Sequence, residues 1–135
     1  MLTLSLYAGV AVALLLTLWI RRQPLARQFD IAALGLIIAA LIYLAFGLIS
    51  PHDSQWLGEF AGFMLFSVIA AAGWRWRPAI IAYGWLTHAA WDTALHLSGP
   101  GWYAPPGYAM LCVGFDLVIG AYLLGLLQVQ TATDH

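Results

Sequence analysis

The chain has 135 residues, of which 63% are hydrophobic and only 8% charged, with a formal net charge of -1. Soluble domains carry about a quarter charged residues, so this composition excludes an ordinary soluble globular protein. The near-zero net charge gives no electrostatic basis for binding nucleic acid, and the single Cys112 excludes an intrachain disulfide.

The first apolar run, 2–20, has no basic residues ahead of it and is followed by Arg21 and Arg22. That charge order is the reverse of a secretory signal peptide, so the run reads as a membrane helix. Further apolar runs cover 31–49, 57–74, 79–97 and 108–127. Each approaches the roughly 20 residues that cross a hydrocarbon core of ~30 Å. Continuous apolarity without strand-like alternation, together with the need to satisfy backbone groups in lipid, predicts helices. The expected fold is all-α: a single-domain polytopic membrane bundle of five transmembrane helices.

All five basic side chains, Arg21, Arg22, Arg27, Arg75 and Arg77, fall in alternate connections. The positive-inside rule makes those connections cytoplasmic, which predicts an outer N-terminus, a cytoplasmic C-terminus and a multi-pass protein of the plasma (inner) membrane. Trp19, Trp56, Trp74, Trp76 and Trp102 lie near run ends, where interfacial anchors belong. A loop is expected over 21–30 around Pro24. The segment 98–107, rich in Gly, Pro and aromatic residues, is expected to form an ordered outer cap.

The segment 88–96 interrupts the fourth run with His88, Asp92 and His96. A charged side chain at the centre of a bilayer costs roughly 2.5 to 3.5 kcal/mol on insertion scales, which marks such residues as a site. At ~1.5 Å per residue, His96 lies at the outer interface, with Asp92 about 7 Å and His88 about 13 Å inward. The same count puts Asp116 of the fifth run at about 12 Å, level with His88, and Glu59 of the third at about 3 Å. His52 and Asp53 belong to the outer loop above them.

Residues four apart share a helix face about 6 Å apart along the axis, whereas eight apart means about 12 Å. One ion therefore cannot take both His88 and His96. The workable ligand pairs are His88 with Asp92 or Asp92 with His96, completed by Asp116, Glu59 or His52. That inventory meets the three-ligand requirement of a catalytic divalent-metal centre. The same groups suit acid/base work without metal, with His88, Asp92 and Asp116 as catalytic residues. Trp85, Trp91, Tyr83, Tyr108, Phe63 and Phe115 are expected to line a pocket for a hydrophobic substrate.

A structural reading stands beside these: His88, Asp92 and Asp116 as an interhelical hydrogen-bonded lock of the kind common in membrane bundles. Tyr108, Cys112 and Asp116 share one face, and Cys112 reads as a packing residue. Gly35, Gly58, Gly62, Gly114, Gly120 and Gly125 read as points of close helix contact.

The segment Gly84-Trp85-Leu86-Thr87-His88-Ala89-Ala90-Trp91-Asp92, with His96, a Pro-rich loop, Cys112 and Asp116, resembles an uncharacterised family of small bacterial integral membrane proteins. The family pattern has two adjacent histidines after Trp-Asp, whereas here Leu95 precedes His96, which weakens the case for a histidine-rich metal site. The resemblance supports the choice of residues and implies no reaction. Three functional classes follow: an enzyme, metal-dependent or acid/base, acting on a hydrophobic substrate from the outer side; a cation- or proton-binding or transport module; and a small structural subunit of a larger membrane complex. The expected partners are membrane lipid, a hydrophobic small molecule, and complex partners or further copies of the chain.

Overall fold

The computed structural model describes residues 1–49, 55–98 and 104–133. These residues form five helices: α1 (Leu2–Ile20), α2 (Leu25–Ile49), α3 (Gln55–Arg75), α4 (Ala79–Ser98) and α5 (Tyr108–Thr133). The fold is all-helical as expected, and α1, α2, α3 and α5 are long and apolar enough to cross a membrane. The remaining helix, α4, has the length but is diluted by Thr87, His88, Asp92, Thr93 and His96. Large apolar side chains such as Leu4, Leu15, Val68 and Val129 are exposed on the outside of the bundle. Trp19, Trp56, Trp74 and Trp76 are also exposed near helix ends. Trp102 and half of the expected outer cap, 99–103, lie outside the described residues, as do His52 and Asp53.

Two helices run past their apolar spans. The loop expected over 21–30 shrinks to 21–24, because α1 closes with tight turns and Pro24 then starts α2. Arg22 N–H donates to the Trp19 carbonyl (3.2 Å) and Gln23 N–H to Ile20 (2.8 Å), a three-residue reach that ends the α-helical pattern. Gln28 N–H donates to the Pro24 carbonyl (3.1 Å), the first hydrogen bond of α2. Residues 25–30 look like loop in sequence because Arg27, Gln28 and Asp30 interrupt the apolar pattern, yet once Pro24 is passed they contain nothing that breaks a helix. At the other end α5 continues to Thr133, since no Gly or Pro follows Gly125 to stop it.

Spatial order differs from chain order. Helix α1 packs on α5, α5 on α4, α4 on α3 and α3 on α2, while α2 also touches α4. Helices α1 and α2, although joined by a short turn, are not among the closely packed pairs. The α1–α5 seam explains part of this order. Gly9, Ala13, Thr17 and Ile20 form the buried stripe of α1 at helical spacing. A Cβ on Gly9 would collide with the Leu111 carbonyl, and one on Gly114 with the Leu6 carbonyl, so the two backbones approach in a way only glycine permits. Gly35, Gly62 and Gly120 also sit against neighbouring side chains, as expected. Gly58 and Gly125 have open space instead, so the expected Gly58/Gly62 contact pair reduces to Gly62 against Trp91.

The buried stripe of α2 runs from Gln28 through Ala32, Leu36 and Ala40 to Tyr43 and Gly47. It meets Phe66 of α3, Ile81 and Trp85 of α4, and Ile119 and Leu123 of α5 in the main core. Trp85 anchors that core by donating its indole N–H to the Ala32 carbonyl (3.0 Å), which leaves no polar atom of the ring stranded.

Candidate functional site

Helical periodicity places His88 and Asp92 on one face of α4, and α5 packs against that face. His88 is 1% exposed, Asp92 0% and Asp116 1%. His88 Nδ1 lies 2.8 Å from an Asp116 carboxylate oxygen and 3.5 Å from an Asp92 oxygen. One ring nitrogen is thus placed between two carboxylates carried by two helices. The three residues offer ligand atoms all within 4.8 Å of one another.

Aromatic rings hold the imidazole in place. Phe66 of α3 meets it edge-on at a centroid distance of 4.6 Å, with Tyr43 of α2 at 6.1 Å and Trp85 at 6.5 Å. His88 therefore touches residues from every helix except α1, and its orientation is set by packing as well as by Asp116. Such apolar walls strengthen electrostatic interactions between the charged groups and raise the cost of leaving any of them unpaired.

Polar satisfaction within the site is uneven. Asp116 pairs with His88, whereas both carboxylate oxygens of Asp92 are buried without a hydrogen-bond partner. The Tyr43 hydroxyl is buried beside Asp92 and Cys112, within interacting range of both but without a closed hydrogen bond to either.

The other expected ligands occupy different places. Glu59, counted from the sequence as a near-interface residue, is buried. It packs against Gly47 of α2, where the missing side chain leaves room for its methylenes, and it interacts electrostatically with His88 and Asp92. Its carboxylate nevertheless falls outside the His88–Asp92–Asp116 set. His96 is exposed one turn beyond Asp92 and is also outside the set. The helical rise anticipates that separation.

A cavity of about 470 Å³ opens between α1 and α2, lined by Val12, Leu16, Ile38, Cys112, Phe115 and Asp116 among others. Among the described residues, Asp116 is the only charged one in its wall. Trp85, Tyr108 and Phe115 line it as expected of pocket aromatics, while Phe63 and Trp91 border a separate crevice beside His88, Tyr43 and Glu59. Tyr83 is different: it is 58% exposed on the outside of the bundle. Five residues before His88 on α4, it is rotated about 140° away from the site. Cys112 is buried and packs with Tyr43 and Ala104, while also reaching the cavity wall.

Tyr43, Phe66 and the cavity itself were not evident from sequence. A tyrosine inside the apolar span 31–49 is the signal that points to Tyr43, because a buried phenol needs a polar neighbour. Nothing in the apolar pattern distinguishes Phe66 from any other core phenylalanine.

Fold and site together define a membrane-like, all-helical protein with a buried His/Asp cluster. The chain belongs to a family of unknown function, DUF6010, whose model matches residues 4–129. No curated protein and no solved structure matches it. Membership of an uncharacterised family is what the Gly84–Asp92 segment led us to expect.

Proposed function

We propose that this protein is a membrane-embedded enzyme that takes a hydrophobic molecule from the bilayer and moves a proton to or from its polar end at the His88–Asp92–Asp116 cluster. In this reading all five helices span the plasma membrane. The two Arg-bearing connections face the cytoplasm and the cluster lies in the outer half. Helix α4 crosses despite its polar residues because His88 and Asp92 face α5 and the aromatic packing, Thr87 and Thr93 donate their hydroxyls to the Tyr83 and Ala89 carbonyls of the same helix, and His96 lies near its end.

One observation carries the proposal: Asp116 belongs both to the charged cluster and to the wall of the apolar cavity. It is bonded to His88 at 2.8 Å and, among the described residues, is the single charged one lining a space of about 470 Å³. That volume falls within the range of small-molecule sites, and its combination of apolar walls with one convergent polar group is their usual form. Because α1 and α2 are not closely packed, the route into the cavity is lateral, from the acyl-chain region. A molecule entering there meets Val12, Leu16 and Ile38 along its length and Asp116 at its polar end. His88 and Asp116 then act as a coupled acid/base pair, with the aromatic walls excluding water.

The test is mass spectrometry of the protein after mild extraction, combined with photolabelling by a long-chain alcohol carrying a diazirine. A bound apolar molecule and labelling of cavity residues are expected. Ile38→Trp, which narrows the exposed rim of the cavity away from the cluster, should sharply reduce both while leaving the protein folded. Wild-type protein with no bound small molecule and no labelling above background would overturn the proposal.

A further inference from the structure

We propose that His88, Asp92 and Asp116 hold a divalent metal ion of the zinc class, with Asp92 as an obligatory ligand. The inference deepens the preceding reading of the cluster as the reactive end of the site, but its evidence comes from the unpartnered atoms of Asp92 rather than from the cavity.

The first step concerns charge. Asp92 and Asp116 are both fully enclosed, and His88 is the only potential cation among the three. The chain has no lysine, and its five arginines all lie in or within one turn of the α1–α2 and α3–α4 connections. Even Arg77 is eleven residues before His88, about 16 Å along the helix. No Arg or Lys side chain neutralises the cluster. Within the three-residue set, a divalent ion with two carboxylates and a neutral imidazole sums to zero, the least costly total in a medium of low polarity, and the buried Glu59 carboxylate nearby further favours a cation there.

Protons can also balance the charge, but they do not resolve the geometry. With Nδ1 engaged by Asp116 at 2.8 Å, Asp92 is left with two buried oxygens and no hydrogen-bond partner. Ionised, Asp92 has beside it only the Tyr43 hydroxyl and a His88 Nδ1 already engaged by Asp116, and neither closes a hydrogen bond to it; protonated, its hydroxyl likewise forms no hydrogen bond in this arrangement. Either state incurs the cost of a buried unsatisfied polar group, about 1–3 kcal/mol and more for a charge. A metal ion bonded to an Asp92 oxygen removes that cost directly.

The spacing fits. Metal–ligand bonds of about 2.0–2.2 Å in tetrahedral geometry place ligand atoms roughly 3.4 Å apart. Nδ1 and the Asp92 oxygen are 3.5 Å apart, and the set as a whole lies within 4.8 Å. The His88–Asp116 pair must widen by roughly 0.6 Å on the same geometry, and a pair near the 4.8 Å limit must close toward the ion. One imidazole and two carboxylates form a donor set for a first-row divalent ion, and three protein ligands leave a fourth position for water or substrate. Asp116 directs that position toward the cavity. The ion would supply an acidic bound water there, while the protein orients the ligands and keeps bulk water out.

The full chain, purified in mild detergent on a resin free of metal, is assayed by elemental analysis for transition metals. The same protein, stripped with chelator, is titrated with Co²⁺ and followed by visible absorption. Stoichiometric metal and a saturable low-symmetry Co²⁺ spectrum are expected. Asp92→Asn should weaken binding by more than roughly 100-fold, beyond the 10- to 100-fold typical of groups that only orient a ligand. Asp92→Cys should instead retain Co²⁺ and add a thiolate charge-transfer band, which also keeps the test decisive if the Asn variant fails to fold. Metal-free protein that binds no Co²⁺, or an Asp92→Asn variant that binds it as well as wild type, would overturn the metal site. Cavity labelling is read separately: a metal-loaded protein that takes no apolar probe sinks the substrate reading and leaves this one standing.

Discussion

Two polar clusters are buried in this bundle, and they are built to different rules. At the arginine end, the Tyr122 hydroxyl donates to Gln28 Oε1 (2.6 Å), and Gln28 Nε2 donates to the Gln23 carbonyl (2.8 Å). That cluster ties α5 to the start of α2 with neutral groups, each having a partner. The cluster of His88, Asp92 and Asp116, the outer one in the orientation proposed above, is formally charged, more deeply enclosed and incompletely bonded. A lock gains stability from complete satisfaction, whereas a working site keeps unsatisfied groups ready for something that binds. The contrast separates structural polarity from functional polarity within one chain, without reference to any relative.

The sharpest way to break this contrast is to compare single and triple replacements in the outer cluster. Asp116→Ala removes the partner of His88 and leaves Asp92 unrelieved, so it should cost about 3–5 kcal/mol, as when one member of a buried ion pair is lost. Replacing His88, Asp92 and Asp116 together by leucine should leave stability unchanged or raise it by about 1–4 kcal/mol, because no buried charge remains. Denaturation of purified protein in mixed micelles measures both. A triple variant less stable than Asp116→Ala would show instead that the cluster contributes net stability as a lock.

The inner cluster should respond in the opposite way. Tyr122→Phe deletes one neutral hydrogen bond and leaves Gln28 Oε1 without its donor, a loss of about 1 kcal/mol. Metal content and apolar labelling should not change, since Tyr122 borders neither the cavity nor the charged set. A Tyr122→Phe protein of normal stability that lost bound metal would erase the distinction between the two clusters.

This division was only half legible in the sequence. The apolar runs gave five helices because lipid-spanning segments must be long, and the rise per residue put His88 level with Asp116, now seen at 2.8 Å. Both inferences use one-dimensional geometry within a helix. What failed to show was lateral: which helices touch, and which face of each turns inward. The α1–α5 seam rests on Gly9 and Gly114 meeting backbone on another helix, and nothing near either glycine in sequence names its partner. The gap between α1 and α2, and with it the cavity, follows from that seam. Glu59 was misjudged because depth along the axis says nothing about burial, which Gly47 on a neighbouring helix decides. Tyr83 was misassigned because its aromatic character, rather than its angular distance from His88, was given weight. Gln28 was assigned to a loop, so the inner lock went unseen.

Tyr43 lies on the boundary between the two kinds of polarity and allows the finest test. It is 2% exposed, and its hydroxyl has no hydrogen-bond partner although it is near Asp92. Removing an unpartnered hydroxyl loses no hydrogen bond and removes a buried polar atom, so Tyr43→Phe should shift stability by no more than about 0.5 kcal/mol in either direction. The ring stays in place against His88, Phe46 and Tyr108, so packing is preserved. If the hydroxyl serves whatever occupies the cluster, the same substitution should weaken Co²⁺ or substrate binding by roughly 10-fold, the scale of a lost ligand-orienting group. Stability unchanged with binding weakened assigns Tyr43 to the site. A stability loss of about 1 kcal/mol or more with binding unchanged would instead place it with Tyr122 among the structural hydrogen bonds.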